Sequence, residues 1–157
     1  MKYQITPCLW FDGNAEEAAR FYISVFKNSK INGITYYGKE GFEVHNQPEG
    51  TVLTVEFEIN GQTFTALNGG PEFRFNESVS FQVYCDTQQE IDYYWDTLTA
   101  DGGEESYCGW LKDKYGLSWQ IVPAIFTDLM KDPVKAERVM KAFMQMRKLD
   151  VEKLINA

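Results

Sequence analysis

Histidine is nearly missing from this chain: His45 is the only one in 157 residues. Imidazole is the commonest side-chain ligand of transition metals, and a lone histidine in a polar stretch between strands suits a solvated surface better than a metal centre. Cysteine is scarce as well. Cys8, Cys85 and Cys108 are odd in number and none sits in a CxxC spacing, which argues against a disulfide framework or a zinc site and fits a reducing cytoplasm. No apolar stretch approaches the roughly 20 residues that span a bilayer, and no basic-flanked apolar run opens the chain. Positive charge is in deficit: 15 Lys and Arg face 23 Asp and Glu, a net charge of −8 that repels a phosphate backbone. Membrane and nucleic acid are thereby excluded as partners, and a cytoplasmic protein is expected.

What is present suits one globular domain spanning 1–157, with 44% hydrophobic and 15% aromatic residues to form its core. One plan recurs in it. CLWFDGNAEEAARFYISVF near the start and FQVYCDTQQEIDYYWDTLTADGG in the middle both read as a strand, an Asp and an aromatic-bearing helix. An offset of about 74 positions superposes Asp12 on Asp86 and Phe21 on Trp95. The expected fold class is α+β: two βαβββ modules forming a curved mixed sheet around a shared cavity, with a C-terminal helical extension.

Module one covers about 4–68: a strand at 4–11, a helix at 15–26 capped by Asn14, a β-prone run at 34–37 and a polar loop at 39–50. A hairpin follows around Asn60 and Gly61, a dipeptide that tolerates positive φ at both positions. Module two covers about 78–122, with a strand at 79–85, a helix at 88–100 stopped by Gly102 and Gly103, and short strands near 106–110, 111–114 and 118–122. Helices at about 124–156 complete the chain, with Asp132 as N-cap before Pro133 and an apolar stripe of Val139, Met140, Phe143, Met146 and Leu149.

Read together, GGPEFRFNESVS, DYYWDTL, CGWLKDKYGLSWQIVP and KAERVMKAFMQMRKLD closely resemble the PhnB-like branch of the vicinal oxygen chelate superfamily, a branch also labelled demethylubiquinone methyltransferase-like. The resemblance covers nearly the whole chain. It implies paired modules around a concave site, commonly in a homodimer, and a small-molecule ligand. Metal-dependent members of the superfamily, glyoxalase I among them, draw ligands from the first and last strands of each module. Carried onto this sequence, those positions fall on Pro7, on Ser80 with Gln82 nearest, on Gln120, and near Phe64 or Thr65. Such a set lacks the imidazole, thiolate and carboxylate donors that repay dehydration of a divalent cation, so no metal is expected. The leading rival is a metal-dependent lyase, isomerase or dioxygenase recruiting His45, Glu56 or Glu58, and a second is a purely structural dimer module with a filled core. A methyl donor with adenosine and ribose would need a glycine-rich turn between a strand and a helix; none is visible, and no cofactor is expected.

Alternation along the strands then selects the ligand-facing residues. In module two the apolar Val79, Phe81, Val83 and Cys85 suit the helix side, which leaves Ser80, Gln82 and Tyr84 for the cavity; Trp119 and Ile121 similarly leave Ser118 and Gln120. Hydrophobicity does not separate the two faces of the first strand, and the glyoxalase count turns Pro7 and Leu9 inward. The expected ligand-binding set is therefore Pro7, Leu9, Ser80, Gln82, Tyr84, Ser118 and Gln120, with no catalytic residue assigned. Trp110 and Trp119 read as packing residues.

Overall fold

The computed structural model describes residues 5–157. They fall into two compact units, 5–74 and 75–157, which part within the linker that holds Gly69, Gly70 and Pro71. Each unit is a four-stranded mixed sheet with a helix on one face, so the chain is α+β with two modules, and neither sheet is closed.

In the first unit, β1 (Cys8–Phe11) leads into α1 (Ala15–Val25), followed by β2 (Ser29–Tyr36), a one-turn helix α2 (Phe42–His45), β3 (Val52–Ile59) and β4 (Gln62–Asn68). The sheet order is β1-β4-β3-β2, with β1 parallel to β4 and the other pairs antiparallel. Ala15, Ala18, Ala19, Tyr22 and Val25 form the buried stripe of α1. Small residues there let the helix lie close to the sheet, where Tyr22 stacks on Phe57 and Phe57 on Phe64. Asn60 (φ 48°) and Gly61 (φ 83°) turn the hairpin between β3 and β4, and Ile59 pairs directly with Gln62.

Three local expectations need correction. Position 4, the expected start of the first strand, lies outside the described residues, and strand pairing begins at Cys8. Asn14 makes no side-chain cap; the first helical N–H, from Ala15, is accepted instead by Asn68 Oδ1 at 2.9 Å, and the Asn68 amide donates to the Val52 carbonyl at 3.0 Å. This buried asparagine ties the helix start to the end of the sheet. The polar stretch 39–50 contains α2, in which His45 Nε2 lies 3.2 Å from the Glu40 carbonyl and Nδ1 accepts the Gln47 N–H at 3.0 Å.

The second unit runs β5 (Ser80–Cys85), α3 (Gln88–Thr99), a 3-10 turn (Ala100–Gly102), β6 (Glu104–Glu105), β7 (Trp110–Lys112) and β8 (Ser118–Pro123), in the sheet order β5-β8-β7-β6. Thr87 caps α3 by accepting the Glu90 N–H, and Ile91, Trp95 and Leu98 are its buried stripe. The expected strand at 106–110 is instead a tight turn: Cys108 (φ 61°) and Gly109 (φ 78°) are both left-handed, and the Trp110 N–H bonds the Tyr107 carbonyl at 3.1 Å. Beyond β8 come α4 (Phe126–Leu129), α5 (Pro133–Phe143) and α6 (Val151–Ile155). Asp132 caps α5 as the sequence indicates, with Pro133 at its first position. Leu129, Val139, Leu149 and Leu154 are the buried centre of this extension.

Candidate functional site

Which residues share a face of the second sheet follows from register. Leu111 pairs with Trp119, and Ile121 with Val83; all carry the alternation of the side packed under α3, where Leu111, Trp119 and Ile121 are buried. The opposite face is open. Its first row reads Ser80, Ser118, Lys112 and Glu104; its second, Gln82, Gln120 and Trp110; its third, Tyr84 and Val122. A one-way hydrogen-bond chain runs across the rows. Tyr84 Oη donates to Gln82 Oε1 at 2.9 Å, Gln82 Nε2 to Gln120 Oε1 at 3.2 Å, and Gln120 Nε2 to Ser80 Oγ at 2.8 Å. Each amide spends one N–H and one oxygen lone pair on its neighbour, and each retains a second N–H for a bound molecule.

Toward β6 and β7 this face deepens into a cleft of about 470 Å³, lined among others by Glu77, Glu104, Tyr107, Trp110, Lys112 and Ser118. That volume is in the range of small-molecule sites. Lys112 Nζ lies 2.5 Å from Glu77 Oε1, and this contact holds the Glu77 carboxyl below its usual range and the lysine above its own. Ser118 is 1% exposed and its hydroxyl has no hydrogen-bond partner. A wider groove of about 880 Å³ lies elsewhere on this unit, between the start of α3 and the start of α6. Its central cation, Lys148, is already held by Asp96 at 2.7 Å and Asp92 at 3.3 Å.

Five of the seven residues selected from the sequence thus share one surface: Ser80, Gln82, Tyr84 and Gln120 in one hydrogen-bond chain, with Ser118 beside Ser80. Pro7 and Leu9 do not share an open face. Leu9 pairs with Ala66, Ala66 with Val55, and that row lies on the same side as Phe57, which stacks on Tyr22 of α1. Leu9 is 6% exposed and belongs to the core beneath the helix, and continuing the alternation puts Pro7 on the same side. The open face of β1 carries Cys8 and Trp10, the latter fixed by its indole N–H to the Gly70 carbonyl at 2.8 Å and by an edge contact with Phe73. Glu77, Glu104, Trp110 and Lys112 were missed. The signal for the last two was present in GWLKDKYG, where Trp110 and Lys112 alternate with buried Leu111, but it needed the register of β7 against β8 to be read.

The family profile of 3-demethylubiquinone-9 3-methyltransferase matches residues 3–122. The chain belongs to that family. Among solved structures of similar fold, a putative 3-demethylubiquinone-9 3-methyltransferase, PhnB protein, from Bacillus cereus is 37% identical, with a TM-score of 0.68 over 78% of this chain and 100% of its own. Protein PA1353 from Pseudomonas aeruginosa is 19% identical (TM-score 0.55; 78% of this chain, 98% of its own), and the fosfomycin resistance protein FosX from Mesorhizobium loti 12% identical (TM-score 0.55; 84% and 99%). No protein of curated function matches. Below 25% identity, the likeness to PA1353 and FosX is one of fold. The family match stops at residue 122, so α4, α5 and α6 lie outside it.

The residues that the sequence resemblance assigns to metal positions do not fit a cation. Ser80, Gln82 and Gln120 are neutral and already bonded to one another, and among the described residues no three His, Cys, Asp or Glu side chains converge. Glu56 and Glu58 alternate with Phe57 and so face away from α1, while both ring nitrogens of His45 are taken up by its own loop. Two thiols, Cys85 and Cys8, are held in their neutral form. Burial, reinforced by Glu90 and Asp86, pushes Cys85 up to about 12, and burial also raises Cys8.

Proposed function

We propose that this PhnB-family chain binds a small organic molecule on the open face of its second sheet, without a metal ion, and does so as a homodimer in the cytoplasm. The observation that carries the reading is the chain Tyr84–Gln82–Gln120–Ser80, which fixes two amides in place and leaves an N–H on each for a ligand. Fixed amides and an adjacent half-buried Trp110 suit the polar edge and flat face of one molecule. Dimer and compartment rest on the family resemblance and on cysteine usage.

Methyl transfer, which the family's name suggests, is not part of this reading. Gly69 and Gly70 follow β4 and Gly102 and Gly103 follow α3, so neither pair opens a helix, and the first N–H of α1 is already bonded to Asn68.

A thermal-shift screen against metabolites and aromatic antibiotics, run in chelator, tests the reading, because a native-state ligand raises the melting temperature by mass action. Hits are expected to persist in chelator and to weaken about tenfold in Gln82→Ala and Gln120→Ala, the loss of one or two ligand hydrogen bonds. Shifts that require added divalent metal, or hits indifferent to both substitutions, would contradict it.

A further inference from the structure

The cleft at the β6–β7 end of the open face is unequal in charge. Its walls hold Glu77, Glu104 and Glu105 against a single cation, Lys112. That cation is spoken for. Glu77 is bonded to it, and Glu104, its partner in register, adds to the field that keeps it protonated. Glu105 turns to the other side of the sheet, where its carboxylate accepts the Trp95 indole N–H at 2.9 Å. Glu104 therefore presents an exposed carboxylate to the cleft with no hydrogen bond of its own, beside the Glu77 carboxylate, whose Oε1 contacts Lys112.

Ser118 is the independent observation. Its hydroxyl lies in the same row as Lys112 and Glu104, buried and without a partner, at a position that lines this cleft. A buried hydroxyl left unpaired costs free energy that a ligand donor recovers. Two carboxylates and a hydroxyl oxygen make a set of acceptors, which calls for a donor-rich group. Trp110 adds an aromatic wall that stacks on no other ring among the described residues, and at the rim the Arg147 guanidinium already lies 5.1 Å from the Tyr107 ring centre. An anionic ligand fits poorly: it would have to strip Lys112 from Glu77 and then sit against Glu104. The net charge of −8 further enriches cations near the surface.

Building on the reading that the open face of the second sheet is the binding surface, we propose that its cleft takes an organic cation. The ligand class is an amidinium, guanidinium or ammonium group carried beside a flat apolar ring, with the charge against Glu104 and Glu77, a donor toward Ser118 and the ring on Trp110.

The test is an amide NMR titration of the full chain at low salt with benzamidine, its neutral analogue benzamide and the anion benzoate. Benzamidine is expected to saturate and to shift the amides of 104–112 and 118, with benzamide and benzoate much weaker. Glu104→Gln is expected to weaken benzamidine about three- to tenfold, whereas Glu137→Gln, the same charge change on α5, leaves it unaltered. Benzamidine that fails to saturate, that shifts other amides, that is matched by benzamide or benzoate, or that ignores Glu104→Gln would overturn the proposal. If a neutral or anionic compound shifts these same amides, the charge preference falls and the binding face stands. If no probe and no screened compound shifts 80–84, 104–112 or 118–120, the face itself falls.

Discussion

Asp113 shows how one side chain positions the strands that carry the site. It is 2% exposed, yet its carboxylate accepts the Tyr115 N–H at 2.9 Å, the Leu117 N–H at 3.1 Å and the Trp119 indole N–H at 2.8 Å, closing the turn between β7 and β8 and anchoring the large ring under α3. A buried carboxylate is tolerated because three donors replace its water. Asp113→Ala strands those donors and is expected to cost about 3 kcal/mol in urea unfolding; a loss below about 0.5 kcal/mol would contradict this role. Cys85 behaves oppositely, since the fold favours its neutral form. Its value is raised from 9.0 to about 12, so its contribution is intact below pH 9 and is lost as pH rises toward 12. Stability measured against pH should fall over that window, and Cys85→Ala should flatten the fall; an identical alkaline limb in the variant would refute the assignment. Of these residues the sequence marks Ser80, Gln82 and Gln120 plainly, because each alternates with large apolar neighbours. Leu9 is illegible by that rule, since Cys8, Leu9, Trp10 and Phe11 are all apolar and either register looks buried. Asp113 is hidden too, because KDKYG reads as a solvated turn until its carboxylate is seen to face inward.

Among elements, the C-terminal extension is the part that the family match leaves out, and it is tied to the site's own turn. Cys108 N–H bonds the Met146 carbonyl at 2.7 Å and Gly109 N–H bonds the Arg147 carbonyl at 2.9 Å, while Gln88 at the start of α3 donates to the Leu149 carbonyl and accepts the Val151 N–H. Gly109 leaves no room for a side chain: a Cβ there would lie 2.7 Å from the Ile121 carbonyl oxygen. Leu149, fully buried in this seam, is expected to lose about 2–5 kcal/mol on substitution by Ala and to raise amide exchange at 108–110 along with the extension. Exchange confined to 124–157 would mean that the extension does not support the turn. Val139, Met140 and Phe143 of the expected stripe lie on α5 and Asp132 caps it, whereas Met146 and Leu149 fall beyond the end of the helix at Phe143. The misplaced strands between 106 and 114 have a local cause: left-handed Cys108 carries no sequence signal, because cysteine, unlike glycine or asparagine, has no local preference for that region.

For the whole molecule, the repeat was visible at the level of strand, Asp and helix, and it correctly gives two four-stranded units. It does not reach the site, because the two copies differ in the residues of their open faces: Cys8 and Trp10 in one, Ser80, Gln82 and Tyr84 in the other. The central proposal is that Ser80, Gln82 and Gln120, neutral side chains that bond to one another, hold no metal. Its most direct test is metal analysis of protein purified without chelator and then dialysed against zinc, nickel and manganese. Metal well below one equivalent, unchanged by Gln120→Ala, is the expected result; one tightly held equivalent that disappears in Gln120→Ala would contradict it.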